Sequence, residues 1–403
     1  MLQSIRNSNN KKYYDYFRVL REIYENAPVS KLRLLELTKL KYSTLARIVT
    51  WFLDNHIICV ADNGESTGGR KPALYDVCSD AGYIIGIDIA RMYTKVALMD
   101  FRCKVLKSEV FGMFEESVCN RTIDKICTLI DELKAGVDDS KILGIGIGIV
   151  GTIGKEKGII ANHANLSGPE WEFASVKEHF RERTGLPVFA DNGVNTAALA
   201  EYRSLDMKNI RLLAYVTAGI GQRLGIIYNG KFLNNSGRVE GAFGHVTVEE
   251  NGRHCYCGNS GCLEAYASIP SVMDICRKEI RNGRRSVLLK KADFDLSTMT
   301  FDMFCQAIDE NDELANEIIL NASEHFSTAI ANMVKILNPE IVIFGGPFVQ
   351  KCKKFLALTI ESTRAKLRFS ALSNTAFSAG NLADNAAVIG AGHLVLDHFL
   401  NFN

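Results

Sequence analysis

The pattern of hydrophobic and polar positions changes near residue 80. Before that point, apolar residues recur at helical spacing, first in "KYYDYFRVLREIYENAPVS" and then in "KLRLLELTKL" and "TLARIVTWFLDNHII". The first helix should end at the Ala27-Pro28 pair, Ser30 should cap the second, and Ser43 should cap the third. This segment, residues 1–80, therefore predicts a small helical domain, which we call the head.

The stretch "CVADNGESTGGRKPALYDV" predicts a β-hairpin whose glycine-rich tip carries Arg70 and Lys71. One face of the third helix is apolar and carries Leu45, Ile48, Val49 and Phe52. The other side offers Tyr42, Ser43, Thr44, Ala46 and Arg47 to solvent. Two short helices, a tight turn and a basic hairpin in this order predict a winged helix-turn-helix that binds DNA. A three-helix interaction module is the alternative.

From residue 82 onward, apolar strands with glycine-rich turns alternate with amphipathic helices. The strands include "YIIGIDIARMYTKVALMD", "ILGIGIGIVGTIG", "LLAYVTAGIGQRLGIIYNGKFL" and "PEIVIFGG", and the helices include 121–135, 172–184 and one around 315–337. This alternation predicts an α/β body with two lobes, 82–200 and 201–403, and a cleft between them. The final helix, "NAAVIGAGHLVLDHFL", should pack back onto the first lobe.

Composition and charge limit the possible classes of protein. The chain has 403 residues, of which 47% are hydrophobic and 23% charged, as in soluble globular proteins. No apolar run is long enough to span a membrane, and the first residues lack a signal peptide's features, so a cytoplasmic protein is expected. Residues 1–72 hold 12 Lys and Arg against 7 Asp and Glu, although the whole chain carries only +1. A basic head on an acidic body indicates a polyanionic partner.

Three of the eleven cysteines are crowded into "HCYCGNSGCLE". Cys255, Cys257 and Cys262 have the spacing C-x-C-x4-C, and the intervening glycines let the backbone fold around a cation. Three thiolates leave one vertex of a tetrahedron, for which His245 and His254 are the candidates. Four protein ligands predict a structural zinc site with no open position for a water. Ordinary reduced cysteines are the alternative.

Several of these motifs, in this order, resemble the ROK family of repressors, uncharacterised reading frames and sugar kinases. They are "GIDI…VALMD", "GIGIGIVG", "DNGVNTAALAE", "GIGQRLGIIYNGK", "GHVTVEENGRHCYCGNSGCLE" and "PEIVIFGG". The resemblance runs nearly end to end and implies a bilobal actin-like ATPase (ribonuclease H-like) fold. The attached head is typical of the repressor branch. The family's "GH" pair implies His245 as the fourth zinc ligand, and His254, directly beside Cys255, would strain the geometry.

The resemblance also identifies what a sugar kinase needs and this chain lacks. The family's Asn-Asp pair becomes Asn192-Gly193, and glycine accepts no proton from a sugar hydroxyl. Loss of a general base lowers a rate by about 10²–10⁴-fold. Asp191 could replace it only through a shift in register. Arg223 replaces a glycine of the second phosphate turn, and the first turn, "DxGGTK" in the kinases, here contains Ala90, Arg91 and Met92. We therefore expect no catalytic activity.

Four of the family's sugar contacts persist as Gly151, Asn192, His245 and Glu264. Two carboxylates are replaced, by Gly193 and Ala242, so fewer charge-assisted hydrogen bonds to sugar hydroxyls remain. The resemblance implies a sugar-type effector. The alternatives are that Asn192 only caps a helix, that Glu264 only orders the zinc loop, and that the pocket has lost its ligand.

These expectations combine into a DNA-binding transcriptional regulator, a repressor that responds to a sugar or sugar derivative. A homodimer or homotetramer would present two heads to a double-stranded operator. Thr44 and Arg47 should read base edges from the helix that also exposes Tyr42 and Ser43, and the phosphate contacts should be Lys41, Arg70 and Lys71. The alternatives are an ATP-dependent sugar kinase with an accessory DNA-binding domain and a regulator switched by a partner protein.

Overall fold

The structure, a computed structural model, describes residues 2–7, 13–63, 72–114, 117–154, 159–162, 166, 171, 175–205, 210–233, 242–368 and 374–401. The chain divides into two compact units. Unit 1 comprises Met1–Thr196 together with Val388–Asn403, and unit 2 comprises Ala197–Ala387. Among the described residues, no helix has both the length and the hydropathy needed to cross a membrane.

The head consists of helices followed by a small sheet. Its elements are α1 (Leu2–Asn7), α2 (Tyr14–Asn26), β1 (Val29–Ser30), α3 (Lys31–Thr38), α4 (Tyr42–Asp54), β2 (Ile58–Asn63) and β3 (Ala73–Val77). The three strands form an antiparallel sheet in the order β1-β3-β2. The predicted hairpin is confirmed in β2 and β3, whereas Arg70 and Lys71 at its tip lie outside the described residues.

The ends of the head's helices confirm one predicted cap and correct another. The Ser30 hydroxyl accepts a hydrogen bond from the Arg33 backbone N–H at 3.2 Å, as expected of an N-cap. The predicted cap at Ser43 is wrong, because Lys41 is the N-cap residue of α4 and Ser43 lies inside the first turn. The cause is the preceding link: Lys39 ends α3 in the left-handed conformation (φ 53°), and the chain then re-enters the helix at once.

The four apolar residues predicted to face inward from α4 are all buried. The exposed residues of this helix include Tyr42, Ser43 and Arg47, as the pattern predicts. Hydrophobic burial therefore determines which face of α4 points inward. This face is as predicted, although the helix begins before the predicted cap residue, Ser43.

The rest of unit 1 is built on a five-stranded sheet. Its elements are β4 (Tyr83–Ile89), β5 (Tyr93–Asp100), β6 (Val105–Gly112), α5 (Cys119–Leu133), β7 (Ile142–Ile149), β8 (Thr152–Gly154), β9 (Ile159–Asn162), α6 (Val176–Thr184) and β10 (Val188–Asn192). The order is β10-β7-β4-β5-β6, with β4, β5 and β6 antiparallel and β4, β7 and β10 parallel. The next helix, α7 (Gly193–Ser204), begins in unit 1 and ends in unit 2.

Unit 2 repeats this arrangement with a second five-stranded sheet. Its elements are β11 (Leu212–Ala218), β12 (Gln222–Tyr228), β13 (Lys231–Phe232), α8 (Glu264–Ala267), α9 (Ile269–Arg281), α10 (Val287–Lys291), α11 (Phe301–Asp309), α12 (Glu313–Leu337), β14 (Ile341–Gly345), α13 (Pro347–Lys351), α14 (Lys353–Lys366) and β15 (Ala376–Ala379). The order β13-β12-β11-β14-β15 again joins an antiparallel meander to two parallel strands. The predicted mixed α/β class is confirmed.

The last helix, α15 (Ala386–Leu400), starts at the end of unit 2 and lies mostly in unit 1. It approaches the sheet so closely that only glycine fits beneath it. A Cβ at Gly86 would lie 2.5 Å from the Val388 carbonyl oxygen, and one at Gly146 would lie 1.8 Å from that of Ala391. The helix backbone therefore rests directly on the strands.

One hydrophobic core joins the head, the sheet of unit 1 and α15. The ring of Phe399 lies 5.4 Å from that of Phe17 in the head and 6.3 Å from that of Phe101 beside the sheet. Arg102 donates a hydrogen bond to the Tyr24 carbonyl oxygen at 2.8 Å. The head, predicted as a separate domain 1–80, thus shares one compact unit with the first lobe. The C-terminal residues, counted in the second lobe 201–403 but predicted to pack back onto the first lobe, complete that unit because their apolar side chains fill its core.

We expect Phe399→Ala to lower the free energy of unfolding of unit 1 by about 3–5 kcal/mol, because a ring only 4% exposed leaves a cavity. Both tryptophans, Trp51 and Trp171, lie in unit 1, so denaturant unfolding followed by tryptophan fluorescence reports on this unit. Ile336→Ala, at a side chain 81% exposed in unit 2, is the control and should leave the transition in place. Equal effects of the two variants would contradict the shared core.

Candidate functional sites

The structure brings four metal-ligand side chains of unit 2 together. One ligand atom from each of His245, Cys255, Cys257 and Cys262 lies within 4.8 Å of the others. The His245 Nδ1 is 3.5 Å from the Cys255 Sγ, and the Cys257 and Cys262 sulfur atoms are 3.7 Å apart. Metal–sulfur bonds of about 2.3 Å in a tetrahedron place neighbouring sulfurs about 3.8 Å apart. The donor set and its spacing therefore fit a tetrahedral metal ion.

The other candidate, His254, is not part of this group. Its Nδ1 is hydrogen-bonded to the Ser260 hydroxyl at 3.0 Å, in the small ladder that closes the loop. The Nε2 of His245 is 3.4 Å from the Tyr256 hydroxyl, so Nδ1 is the nitrogen that faces the thiols. His254 therefore lies outside the cluster, although it is directly next to Cys255 in the sequence.

The loop that carries the cysteines depends on a glycine. Gly261 has φ +76°, and a Cβ there would lie 1.8 Å from the Glu249 carbonyl oxygen. The next residue, Cys262, pairs with Thr247 in an isolated antiparallel bridge. A left-handed backbone and a close backbone approach coincide at this position, and only glycine satisfies both. This turn aims the Cys262 thiol at the other ligands.

Burial and hydrogen bonding affect the three thiols differently. A backbone hydrogen bond from Asn259 lowers the pKa of Cys257, whereas burial raises the pKa of Cys262 to about 12 and also raises that of Cys255. Buried thiols of this kind ionise when a cation compensates the negative charge, since metal binding and thiol deprotonation are linked. The cluster therefore has the chemistry of a metal site.

Glu264 begins α8 two residues after the last cysteine and is 9% exposed. Its Oε2 accepts a hydrogen bond from the Gln222 backbone N–H at 3.1 Å. A Cβ at Gly244 would lie 2.5 Å from the same oxygen, so the carboxylate sits tightly against two glycine-flanked backbone segments of unit 2. Sequence reasoning missed Tyr256, whose hydroxyl also interacts with Glu264 and with His245. Its position between two ligand cysteines is the signal that could have identified it.

The metal-ligand loop is also anchored to the long helix α12. The His325 Nε2 is 3.1 Å from a carboxylate oxygen of Glu249, and the His325 ring stacks on Tyr266 with centroids 4.0 Å apart. The Tyr266 hydroxyl accepts a hydrogen bond from the Arg253 backbone N–H at 2.6 Å. These contacts hold both ends of the loop, and single-sequence patterns gave no indication of them.

In unit 1, the structure brings together the two predicted sugar contacts of that unit. The Asn192 Nδ2 donates a hydrogen bond to the Gly151 carbonyl oxygen at 2.6 Å, while its Oδ1 accepts one from the Val194 N–H at 3.0 Å. Asn192 thus caps α7 and ties the preceding strand to the Gly151 turn. Asp191 is buried, and one of its oxygens accepts hydrogen bonds from the Asn192 N–H and the Asn195 amide.

Gly193 occupies the first position of α7, the position at which the sequence analysis expects a kinase to carry Asp. A Cβ at Gly193 would meet no atom closer than the Asp88 Oδ1 at 3.7 Å, so a side chain fits there. Asp88 itself accepts a hydrogen bond from the Tyr93 hydroxyl at 2.9 Å. The lack of a carboxylate at residue 193 is therefore not imposed by packing.

The predicted DNA-facing residues of the head lie mostly on its surface. Lys41, Tyr42, Ser43 and Arg47 are exposed, and Thr44 is half-buried. They occupy the N-terminal half of α4 and the residue before it. Arg70 and Lys71 lie outside the described residues. The described residues of this set thus form one exposed, basic and polar surface at the N-terminal end of α4.

Comparison with solved structures gives the class of fold. A ROK family transcriptional regulator, a homologue of the E. coli MLC protein, superposes with a TM-score of 0.78 at 22% identity and covers 97% of both chains. A ROK family glucokinase from Streptomyces griseus, solved with glucose and AMPPNP, has a TM-score of 0.69 at 23% identity and covers 78% of this chain and 100% of its own. The body therefore has a sugar-kinase-like fold.

The ROK family model matches residues 84–398, and the chain belongs to the ROK family. The Xylose repressor of Caldicellulosiruptor bescii is 29% identical over 386 residues, which are 95% of this chain and 96% of the relative. The DNA-binding transcriptional dual regulator NagC of Escherichia coli K12 is 26% identical over 390 residues, 95% of this chain and 92% of its own. Both similarities extend over the head as well as the body.

We expect the purified chain to bind one metal ion in this cluster. Cys257→Ser removes an exposed ligand and should lower metal affinity by more than about tenfold, since even the loss of a residue that only supports a ligand costs that much. Elemental analysis and the absorption spectrum after Co²⁺ substitution measure the effect. Cys59→Ser, at an exposed cysteine outside the cluster, is the matched control. Equal metal content in both variants would contradict the assignment.

Proposed function

We propose that this protein is a sugar-responsive transcriptional repressor whose winged helix-turn-helix head binds an operator. The observation that carries the proposal is the exposed, basic N-terminal half of α4, on a head whose core continues into a sugar-kinase-like body. Relatives named as a xylose repressor and as the N-acetylglucosamine regulator NagC, similar along almost the whole chain, support it. The common order of both five-stranded sheets favours an actin-like ATPase fold for the body.

In this proposal α4 is the recognition helix. Thr44 and Arg47 face base edges in the major groove, beside Tyr42 and Ser43, and Lys41 contacts phosphate at the entry to the helix. Arg70 and Lys71 contact phosphates or the minor groove from the hairpin tip. A homodimer or homotetramer presents two heads to a pseudo-palindromic operator.

The metal in the cluster is proposed to be zinc with a structural role. Three thiolates and an imidazole nitrogen form the closed four-ligand set typical of structural zinc. When bound, the ion would hold His245 and the cysteine loop in place. Because Glu264 follows Cys262 by two residues, the same ion would fix the carboxylate that we assign to the effector.

We propose that the effector is a sugar or sugar derivative and that Glu264 and His245 of unit 2 contact it. In the described part of the chain the Glu264 carboxylate accepts one backbone hydrogen bond and interacts with the Tyr256 hydroxyl, so it keeps capacity to accept others from sugar hydroxyls. The Tyr256 hydroxyl interacts with both Glu264 and His245, so it is a further polar group beside these two proposed sugar contacts.

The body is proposed to bind sugar without phosphorylating it. Gly193 offers no group to accept the hydroxyl proton, and the nearby Asp88 is already engaged by Tyr93. Asp191 is held in the strand and helix start by two hydrogen bonds, which argues against a register shift that would bring it into the position of the base. Binding without turnover suits a receptor.

A route from effector to operator follows from the chain's connections. Two helices, α7 and α15, each run from one unit into the other, and α15 ends inside the core that the head shares. A sugar that binds one conformation of the chain better than another shifts the population toward it. The end of α15 would carry that shift to the head.

We expect operator affinity to fall steeply as salt rises, with a log–log slope of about −0.9 for each phosphate contact. On a DNA fragment selected from genomic fragments, Arg47→Ala should weaken binding by about tenfold to a hundredfold, because a base contact is worth about 1–3 kcal/mol. Arg364→Ala, which removes an exposed arginine from α14 of unit 2, is the control with the same change in charge. Salt-independent binding, or equal losses in both variants, would overturn the assignment of the head.

We expect a sugar from a panel that includes D-xylose, glucose and N-acetylglucosamine to release the operator without producing ADP from ATP. Glu264→Gln should raise the sugar concentration for release by at least about tenfold, since it removes a charged acceptor, and leave sugar-free DNA affinity unchanged. Glu250→Gln, exposed in the same loop, is the control. ADP production at ordinary kinase rates would establish the kinase alternative. Release by none of the sugars would instead favour a partner protein as the switch.

A further inference from the structure

Two cysteines of unit 2 that lie far apart in the sequence meet in its core. Cys305 is in α11, and Cys352 is both the C-cap residue of α13 and the N-cap residue of α14. The two residues are 8% and 4% exposed, and both belong to the hydrophobic core of this unit. Their thiols interact through a hydrogen bond. They form a dithiol that neither the proposed metal site nor the proposed effector contacts use.

Contacts within one helical turn hold the two cysteines face to face. The Lys351 ammonium donates a hydrogen bond to the Asp302 carboxylate at 2.6 Å, which joins the end of α13 to α11. The ring of Phe301 meets that of Phe348 edge-on, with centroids 5.0 Å apart. Residues three and four positions apart are neighbours on a helix surface, so these contacts lie beside the cysteines on both helices. The dithiol is therefore a defined part of the interface between α11 and α13.

The surroundings of the two thiols favour a proton on one and a negative charge on the other. The hydrogen bond from Cys305 lowers the pKa of the Cys352 thiol, and the backbone N–H groups of Phe355 and Lys354 lower it further, which together outweigh burial. The same hydrogen bond and burial raise the pKa of Cys305. A helix N-terminus stabilises a thiolate, and Cys352 stands at the start of α14. Cys352 is therefore the nucleophile of the pair, and Cys305 keeps its proton.

A lowered pKa is not a general property of buried cysteines in this unit. Cys276 of α9 is also buried, and burial raises the pKa of its thiol to about 12. Structural cysteines in apolar surroundings are inert, whereas the thiolate is the reactive form. The difference comes from the position of Cys352 at a helix N-terminus and from its hydrogen bond with Cys305.

The dithiol lies directly beneath solvent-exposed side chains. Those of Lys351 and Asp302, each within three residues of one of the cysteines, are 49% and 61% exposed. Hydrogen peroxide is close to water in size. It therefore needs only a small displacement of this ion pair to reach the sulfur atoms.

We infer that Cys305 and Cys352 are an oxidation site, at which hydrogen peroxide closes a disulfide between α11 and the start of α14. This inference goes beyond the proposed function, since the reaction needs neither DNA nor sugar. The bond ties α11 to the segment that follows β14, because the strand ends at Gly345 and α13 begins at Pro347. A cross-link that closes a long loop stabilises the folded state mainly by constraining the unfolded chain. Oxidation therefore makes unit 2 harder to unfold.

The reaction balances with two thiols and one peroxide. The Cys352 thiolate attacks one peroxide oxygen, the O–O bond breaks, and the released hydroxide takes the proton that Cys352 lost on ionisation. The Cys305 sulfur then attacks the sulfenic acid on Cys352, which forms the S–S bond and breaks the S–O bond. The leaving hydroxide takes the Cys305 proton and becomes a second water. The two thiols thus supply the two electrons that reduce the peroxide, and a dithiol such as dithiothreitol returns them.

Non-reducing peptide mapping tests the linkage in the full-length chain loaded with Zn²⁺. After treatment with hydrogen peroxide and alkylation of the remaining thiols, trypsin should release peptide 292–335 joined to the dipeptide 352–353, since Lys and Arg stand only at the ends of these stretches. Dithiothreitol should separate the two peptides. The melting temperature of the oxidised chain should lie above that of the reduced chain. Absence of the joined peptide from the wild-type chain would overturn the inference, and this measurement needs no variant to fold.

Single substitutions test the roles of the two thiols. In Cys305→Ala the sulfenic acid on Cys352 finds no second thiol at the site, so dimedone should label residue 352. In Cys352→Ala, residue 305 should remain an unlabelled thiol. Cys276→Ala, which removes a buried cysteine of the same unit, is the control and should leave the joined peptide unchanged. Labelling of residue 305 alone would overturn the assignment of Cys352 as the nucleophile.

Discussion

The packing of α15 against unit 1 is the contact on which the arrangement of the chain depends. Gly86 and Gly146 let the helix backbone rest on the strands, and any larger residue there would collide with carbonyl oxygens of the helix. Because the helix lies this deep, its final turn reaches Phe17 and Phe101 through Phe399. The head is therefore built into the same core as the first sheet, and a displacement of α15 cannot leave it unaffected.

The loop of unit 2 imposes a second constraint, which concerns chemistry more than packing. Four ligand atoms within 4.8 Å of one another gather three thiols and an imidazole around one point, as the coordination of a cation requires. With a bound ion, the loop becomes a rigid support for Glu264 and for the Tyr256 hydroxyl beside it. The proposed metal and the two proposed effector contacts of unit 2, His245 and Glu264, thus belong to one loop, which Tyr266 and His325 anchor to α12.

Much of the fold follows from local pattern. The apolar face of α4, the buried strand "ILGIGIGI" and the hairpin were all predictable because each is set by the spacing of apolar residues or by turn chemistry within a few positions. The cysteine cluster was predictable from its spacing, and His245 from the resemblance. The merging of head and first lobe was not predictable, since it depends on contacts that Phe399 makes with Phe17 and Phe101, which lie far away in the sequence. The predicted cap at Ser43 was wrong for a local reason. The left-handed turn at Lys39 lets α4 begin earlier, so that Lys41 and not Ser43 is its N-cap residue.

A glycine at residue 193 can have two explanations: packing requires it, or the site has no need of a carboxylate there. If packing had required glycine there, its presence would say nothing about activity, yet a Cβ at this position has no neighbour closer than 3.7 Å. In the proposed receptor the loss of catalysis is therefore chemical and not steric. The residues around Gly193 are held in place, since Asn192 caps α7 and donates to Gly151, and Asp88 is buried. A bound sugar that is not consumed remains at equilibrium with the protein, so its binding free energy is available to shift conformational populations. That thermodynamic property is what the proposed repressor requires of its kinase-like body.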